Sequence, residues 1–354
     1  MPRRSTGAAP RTPRSNSAMS IRVALIGYGY AGKTLHAPLI AATQGLELTV
    51  VGSSDAQKVN ADLPEVRVVV DPRAAATDAQ ADLVVIATPN DTHVPLATAA
   101  LEAHKHVVVD KPFTLTLAEA QRIAALAKAQ GRLLSVFHNR RWDSDFLGAR
   151  AALNDDRLGD VVHFESHFDR FRPIARDRWR ERAIPGGGIL YDLGPHLIDQ
   201  ALNLFGMPAA VSADSARQRA EAPIEDWVHL VLDYGRLRVI LHASMLVAGG
   251  ARRLVLHGTK GSWIKQSEDV QEKQLIAGMR PGAPGWGVDP DSATIYDGSS
   301  TAEVTVPTGD YRNYYAALRD AILGHGPNPV TPAEAVAVMQ ILEQAREAIA
   351  TRSG

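Results

Sequence analysis

Between Ile21 and Phe137, short runs of mostly β-branched apolar residues alternate with segments whose apolar positions recur every three or four residues. The short runs predict strands at Ile21–Ile26, Glu47–Val51, Val66–Val70, Leu83–Ala87, His106–Val109 and Leu133–Phe137. The segments between predict helices from Gly32 to Ala42, over 56–62, ending at Ala103, and over Leu117–Gln130. Leu83–Ala87 is apolar throughout, as in a strand buried on both faces. Strands alternating with helices over most of this span predict an α/β domain built on a parallel sheet.

Beyond residue 138 the pattern changes. Val161–Phe168 alternates, with Val162, Phe164, Ser166 and Phe168 on one face and His163, Glu165 and His167 on the other. Trp227–Leu232, Arg238–Ala243, Arg253–Leu256 and Ser262–Lys265 are further strand-like runs, and hairpin-like turns between them predict an antiparallel or mixed sheet. Gly258-Thr259-Lys260-Gly261-Ser262 lacks phosphate-loop spacing and reads as one such turn. Residues 141–155, Tyr311–Leu323 and Pro332–Thr351 read as helices, and 270–300, rich in Gly, Pro and Asp, as a loop. The expected organisation is a tail over 1–18, a nucleotide-binding domain over 19–138 and a second α/β domain over 139–354. The tail carries Arg3, Arg4, Arg11 and Arg14 but no acidic residue and no apolar stretch, so it is expected to be disordered.

Composition narrows the function. A formal net charge of −1 gives no reason to expect nucleic acid or an anionic membrane as partner. The absence of cysteine excludes disulfides, thiolate catalysis and cysteine-held metals, and is compatible with a cytoplasmic location. No apolar run approaches the ~18–20 residues that span a bilayer.

The chemistry begins at Gly27-Tyr28-Gly29-Tyr30-Ala31-Gly32, a glycine turn between the first strand and its helix. Gly27 permits the tight turn, Gly29 leaves room for a pyrophosphate, and Gly32 lets helix and strand pack closely. Phosphates then meet unpaired N–H groups at the helix start. At the tip of the second strand, where a carboxylate would bond an NAD ribose, stand Ser53 and Ser54, with Lys58 beyond. Two hydroxyls and a cation fit a 2′-phosphate, so NADP is the expected cofactor, with NAD the alternative. Asp55 serves either the ribose or the cap of the 56–62 helix.

Thr88-Pro89-Asn90, with His93, and Asp110-Lys111-Pro112 close two further strands at the sheet's carboxyl edge, where open α/β sheets bind ligands. Lys111 there can polarise or protonate a substrate oxygen, unless it is a plain surface lysine. In Gly188-Ile189-Leu190-Tyr191-Asp192-Leu193-Gly194-Pro195-His196, Gly194-Pro195 reads as a helix start. Asp192 just before it and His196 one turn later form a candidate proton-transfer pair, against the plainer roles of N-cap and core residue. No metal site is expected from Asp192, His196 and Asp199 or from the His163, Glu165 and His167 strand face. Six arginines lie in Arg170–Arg182, interrupted by Asp177 and Glu181. A substrate or cofactor rim explains them better than a nucleic-acid surface.

Taken in order, the glycine turn, Thr88-Pro89-Asn90 with His93, Asp110-Lys111-Pro112 and Gly188…Asp192…His196 resemble the glucose–fructose oxidoreductase/inositol dehydrogenase (Gfo/Idh/MocA) family across residues 20–352. Asp110 replaces that family's usual glutamate. His138-Asn139-Arg140-Arg141-Trp142-Asp143, Arg178-Trp179-Arg180 and Tyr191-Asp192-Leu193-Gly194 further resemble its NADP-dependent scyllo-inositol dehydrogenases. The resemblance implies a Rossmann domain followed by an α/β domain whose large, open, mostly antiparallel sheet serves as an oligomer interface, giving a homodimer or homotetramer. It implies Lys111 orienting substrate beside the nicotinamide, His196 as general acid/base and Asp192 assisting, with Pro112 shaping the turn. Arg141, Trp142, Trp179 and Arg180 are expected to line the cofactor and substrate cleft, and Asn139 and Tyr311 to touch the substrate. The expected reaction is hydride exchange between NADP(H) and a secondary alcohol of an inositol. The alternatives are a sugar oxidoreductase of the same fold and a non-catalytic NADP-binding sensor.

Overall fold

The computed structural model describes residues 20–353, and the expected 1–18 tail lies outside them. The first apolar runs form β1 (Ile21–Ile26), β2 (Leu46–Gly52), β3 (Arg67–Val69), β4 (Leu83–Ile86), β5 (His106–Val109) and β6 (Leu134–Val136). They pair in the order β3-β2-β1-β4-β5-β6, every pair parallel. All four residues of β4 are buried, which is why its sequence carries no polar position. The strand order reverses between β1 and β4, and this opens a crevice at the carboxyl ends of the sheet.

The crossovers are α1 (Ala37–Ala41), which continues a π-helical turn over Ala31–His36, then α2 (Ala56–Asp62), α3 (Pro72–Ala76), α4 (His93–Glu102) and α5 (Leu117–Ala129). At the start of α5, Thr116 Oγ1 accepts from the Glu119 N–H and Glu119 Oε2 from the Thr116 N–H. Two otherwise unpaired donors are thereby satisfied.

The second domain holds α6 (Ser144–Ala152), β7 (Val161–Asp169), α7 (Ile189–Phe205), β8 (Ala210–Ala216), β9 (Trp227–Tyr234), β10 (Leu237–Ser244), β11 (Leu254–Gly258) and β12 (Ser262–Lys265). It is completed by α8 (Gln271–Ile276), β13 (Ala293–Tyr296), β14 (Thr301–Val304), α9 (Arg312–Ile322) and α10 (Pro332–Ser353). Its sheet runs β14-β13-β12-β11-β7-β10-β9-β8, antiparallel except for the parallel pair β7–β10. In β7, Phe164, Ser166 and Phe168 are buried while His163, Glu165 and His167 are partly exposed, as the period of two requires. Helix α7 packs against β7, β9 and β10, and α10 returns to pack on α7, α5 and β6, tying the two domains together. Among the described residues no helix is long and apolar enough to cross a membrane.

Three local expectations are corrected. The helix expected at Gly194-Pro195 starts at Ile189, so Pro195 lies inside α7. Gly188 caps it at φ +89°, where a Cβ would fall 1.9 Å from Glu225 Oε1, so the chain turns there and nowhere later. The expected loop over 270–300 contains α8 and β13, whose Ala293 and Ile295 point into the core. The helix expected over 141–155 begins at Ser144, because Asp143 is extended and ends a preceding 3-10 turn over Asn139–Trp142.

Candidate active site

The glycine turn joins β1 to the π turn, with the Gly27 N–H donating to Gly52 O at 2.8 Å. A Cβ on Gly27 would lie 2.4 Å from Ala87 O, and one on Gly32 would lie 2.0 Å from Gly27 O. Both glycines are therefore demanded by close backbone packing. Gly29 is different, since no protein atom lies within 4 Å of its absent Cβ. The protein itself does not require that glycine; the open space beside the turn fits a dinucleotide's pyrophosphate.

At the end of β2, Ser53 Oγ accepts from the Asp55 N–H at 3.1 Å. Asp55 Oδ1 accepts from the Lys58 N–H at 2.9 Å and caps α2, so of its two candidate roles the carboxylate fills the capping one. Ser54 is exposed, and Lys58 Nζ donates to Tyr28 O at 2.9 Å. Ser53 and Ser54 thus follow the β2 tip, Lys58 lies in the first turn of α2, and the Asp55 carboxylate between them is taken up by the cap.

The loop after β4 is fastened twice. Thr88 and Thr92 share a hydroxyl hydrogen bond of 2.6 Å, and Asn90 Nδ2 donates to Gly186 O of the second domain at 3.0 Å. Pro89 leads the 3-10 turn over Asn90–Thr92. His93 is buried with its ring nitrogens 2.9 Å from Pro112 O and 3.0 Å from Thr88 O, linking this loop to the one after β5. In that second loop Asp110 Oδ1 accepts from the Lys111 N–H at 2.7 Å, and the Lys111–Pro112 peptide is cis. Burial alone would raise the Asp110 pKa, but His36, Lys111 and His93 hold it at about 2.

Lys111 Nζ donates to Asp192 O at 2.7 Å and lies 3.3 Å from Asp192 Oδ1. Asp192 is presented from the first turn of α7, and Pro195 within that helix has no N–H to offer the Tyr191 carbonyl. Burial pushes the Lys111 ammonium below the ordinary lysine range; the Asp192 carboxylate works against this and the Arg180 charge with it. Burial would raise the Asp192 carboxyl, but Lys111, Arg180, Arg170 and Arg178 keep it at about 2. Gly188 holds the cap position of that helix, and the Asp192 carboxylate faces the Lys111 ammonium. His196, one turn on, is driven well below its ordinary value by burial, then by Lys111, Arg140, His138 and Arg253. Its ring is neutral at pH 7, and its buried Nδ1 has no hydrogen-bond partner.

These groups line one cleft of about 510 Å³ between the domains. Tyr30 and Ala31 of the glycine turn border it, as do Asp110, Lys111, Asn139, Arg180, Asp192 and His196. Four expected cleft residues do not line it. Arg141 is buried, its Nε and Nη2 on the Asp199 carboxylate (3.0 and 2.7 Å) and its Nη1 2.7 Å from Glu334, clamping α7 to α10. Trp142 packs edge-on against Tyr314 at 5.7 Å, and Trp179 lies beneath the Arg180 guanidinium at 4.6 Å. Tyr311 is fully buried and donates to Asp143 Oδ1 at 2.6 Å, facing the core instead of a substrate.

The sequence reading missed Arg140 and Glu272. Arg140 Nη2 donates to Glu272 Oε2 at 2.8 Å, and Tyr30 Oη donates to Glu272 Oε1 at 2.7 Å, spanning the two domains. Glu272 sits where a loop was expected, so no sequence signal marked it. Away from the cleft, His167, Asp169 and His242 offer ligand atoms within 4.8 Å of one another, the one such metal-sized group among the described residues.

Residues 21–138 match the family model described as "Oxidoreductase family, NAD-binding Rossmann fold", and residues 150–354 match "Oxidoreductase family, C-terminal alpha/beta domain". The chain is 54% identical over 328 residues to the uncharacterized oxidoreductase YdgJ of Escherichia coli K12, covering 92% of this chain and 95% of that one. It is 37% identical over 334 residues to scyllo-inositol 2-dehydrogenase (NADP(+)) IolW of Bacillus subtilis, covering 93% of each. The solved structure of an oxidoreductase from Bacillus cereus aligns with TM-score 0.85 at 31% identity, covering 92% of this chain and 95% of that one. Both halves of the chain, and the groups they bring to the cleft between them, place it in the Gfo/Idh/MocA oxidoreductase family.

Proposed function

We propose that this oxidoreductase uses NADP(H) to interconvert a secondary alcohol of a cyclic polyol, of the scyllo-inositol type, with the corresponding ketone. The carrying observation is that Lys111 from one domain and Asp192 and His196 from the other line one cleft with Tyr30 and Ala31 of the glycine turn. When bound, the nicotinamide supplies the hydride acceptor or donor. Lys111 spends donors on Asp192 O and Oδ1 and keeps one for the substrate oxygen. Asp192, held ionised, fixes that ammonium in place. His196, held neutral, takes the hydroxyl proton during oxidation and returns it during reduction. The open space at Gly29 and the hydroxyls of Ser53 and Ser54 near Lys58 support a 2′-phosphorylated dinucleotide. We extend the proposal to self-association through the uncovered face of the eight-stranded sheet, which light scattering tests by molar mass.

The test is the rate of NADP⁺ and NAD⁺ reduction over a panel of inositols and pyranoses. Turnover confined to pyranoses would favour a sugar oxidoreductase, the second reading. Cofactor binding with no turnover on any polyol or sugar would contradict both and leave a sensor.

A further inference from the structure

The cleft is far more cationic than a neutral polyol requires. Seven cationic side chains line it (Lys111, Arg140, Arg170, Arg172, Arg176, Arg178, Arg180) against three carboxylates (Asp110, Asp192, Glu272). Each carboxylate is already committed. Asp192 serves Lys111 and Arg180, Glu272 serves Arg140 and Tyr30, and Asp110 accepts from the Lys111 N–H and faces His36 at 3.9 Å. Among the described residues, Arg170, Arg172 and Arg176 form no ion pair. Arg178 donates its Nε to the buried Glu181 at 2.7 Å, while its Nη2 is buried and without a partner. Arg172 Nη1 is likewise buried and unpartnered. Burial and the charges of Arg170, Arg178 and Arg176 all push Arg172 below the usual guanidinium range.

Buried cationic donors without acceptors destabilise a fold unless a ligand completes them. Guanidinium forks match the planar or tripodal oxygens of a carboxylate or phosphate. We infer that Arg170, Arg172, Arg176 and Arg178 form an anion-binding subsite, and that the polyhydroxylated substrate bears a carboxylate or phosphate held there. This rests on the dehydrogenase reading above and names the substrate class for the same cleft. The cofactor's pyrophosphate is the weaker occupant. The glycine turn already offers that group open space and N–H donors, whereas the four arginines follow β7 in the second domain, and three of them, Arg170, Arg172 and Arg178, feel the Asp192 charge.

The test pairs neutral and anionic substrates: an inositol with its monophosphate, and glucose with glucuronate and glucose phosphate. The subsite predicts a kcat/KM at least about tenfold higher for the anionic member of a pair. Which anion wins distinguishes carboxylate from phosphate. Arg172→Ala and Arg176→Ala should abolish that preference while NADPH affinity, read by fluorescence titration, stays within about twofold. Equal or better turnover of the neutral members would overturn the inference while leaving the dehydrogenase intact. Loss of NADPH affinity in the arginine variants, with substrate preference unchanged, would overturn it too by assigning the arginines to the cofactor. If no panel member turns over, calorimetric titration of inorganic phosphate into the NADPH complex decides. Saturable binding lost in Arg172→Ala upholds the subsite although the dehydrogenase reading fails, and absence of binding removes both.

Discussion

Lys111 Nζ lies 2.7 Å from the main-chain oxygen of Asp192 and 3.3 Å from its carboxylate, so a loop of one domain is bonded to a helix of the other at the floor of the cleft. The Asp192 charge is the largest influence holding the Lys111 pKa up against burial. In Asp192→Asn that support disappears and the Lys111 pKa falls further. Where the protonated ammonium is needed, the alkaline limb of the kcat/KM profile should move to lower pH, and kcat should drop about 10–100-fold. An unmoved limb would separate Lys111 from the titration.

Acid should weaken the fold through its buried histidines. His93, His138 and His196 are buried, and burial lowers the pKa of each below 6.5. Below that pH the unfolded chain binds protons that the folded chain refuses. Stability therefore falls as pH drops below about 6.5, by up to about 1.4 kcal/mol per pH unit for each histidine. His167 is raised to about 9 by Asp169 and Glu165 against its burial, so its contribution is complete below 6.5 and is lost only as pH rises through about 9. Urea unfolding between neutrality and pH 5.5 checks this. His138→Gln should flatten the slope, and a profile already flat in the parent protein would contradict the burial argument.

Ser53→Asp places a carboxylate where a 2′-phosphate is proposed to sit. The expected outcome is a fall of about tenfold or more in kcat/KM with NADP⁺ and a rise with NAD⁺. A variant that keeps its NADP⁺ preference would move the phosphate site elsewhere.

Arg141→Met removes one partner of the buried Asp199 pair and should cost about 3–5 kcal/mol of stability. Tyr311→Phe deprives Asp143 of a donor and should cost about 1–3 kcal/mol. Neither side chain lines the cleft, so NADPH affinity and substrate KM should stay within about twofold wherever the variants are folded. A KM change in Tyr311→Phe without a change in melting temperature would return that residue to the substrate.

The sequence revealed what depends on local pattern. Uninterrupted apolar runs marked the parallel strands, alternation marked β7, and glycines crowded by backbone marked the first turn. It did not reveal where α7 begins, because a Gly-Pro pair looks like a helix start until the Gly188 conformation and its Glu225 neighbour are known. Nor could it separate Arg140 and Arg141. Adjacent in sequence, one lines the cleft and the other clamps two helices, a difference set by Glu272, Asp199 and Glu334 far along the chain. Tyr311 misled for the same reason, since its partner Asp143 is 168 positions away.

The central claim is that a sheet-edge lysine and a histidine of the second domain act on one substrate carbon. Steady-state turnover and NADPH titration of Lys111→Met and His196→Ala, measured side by side, test it most directly. The account predicts kcat reduced about 10²–10⁴-fold in each variant with NADPH affinity nearly unchanged. Parental turnover in either one would contradict it.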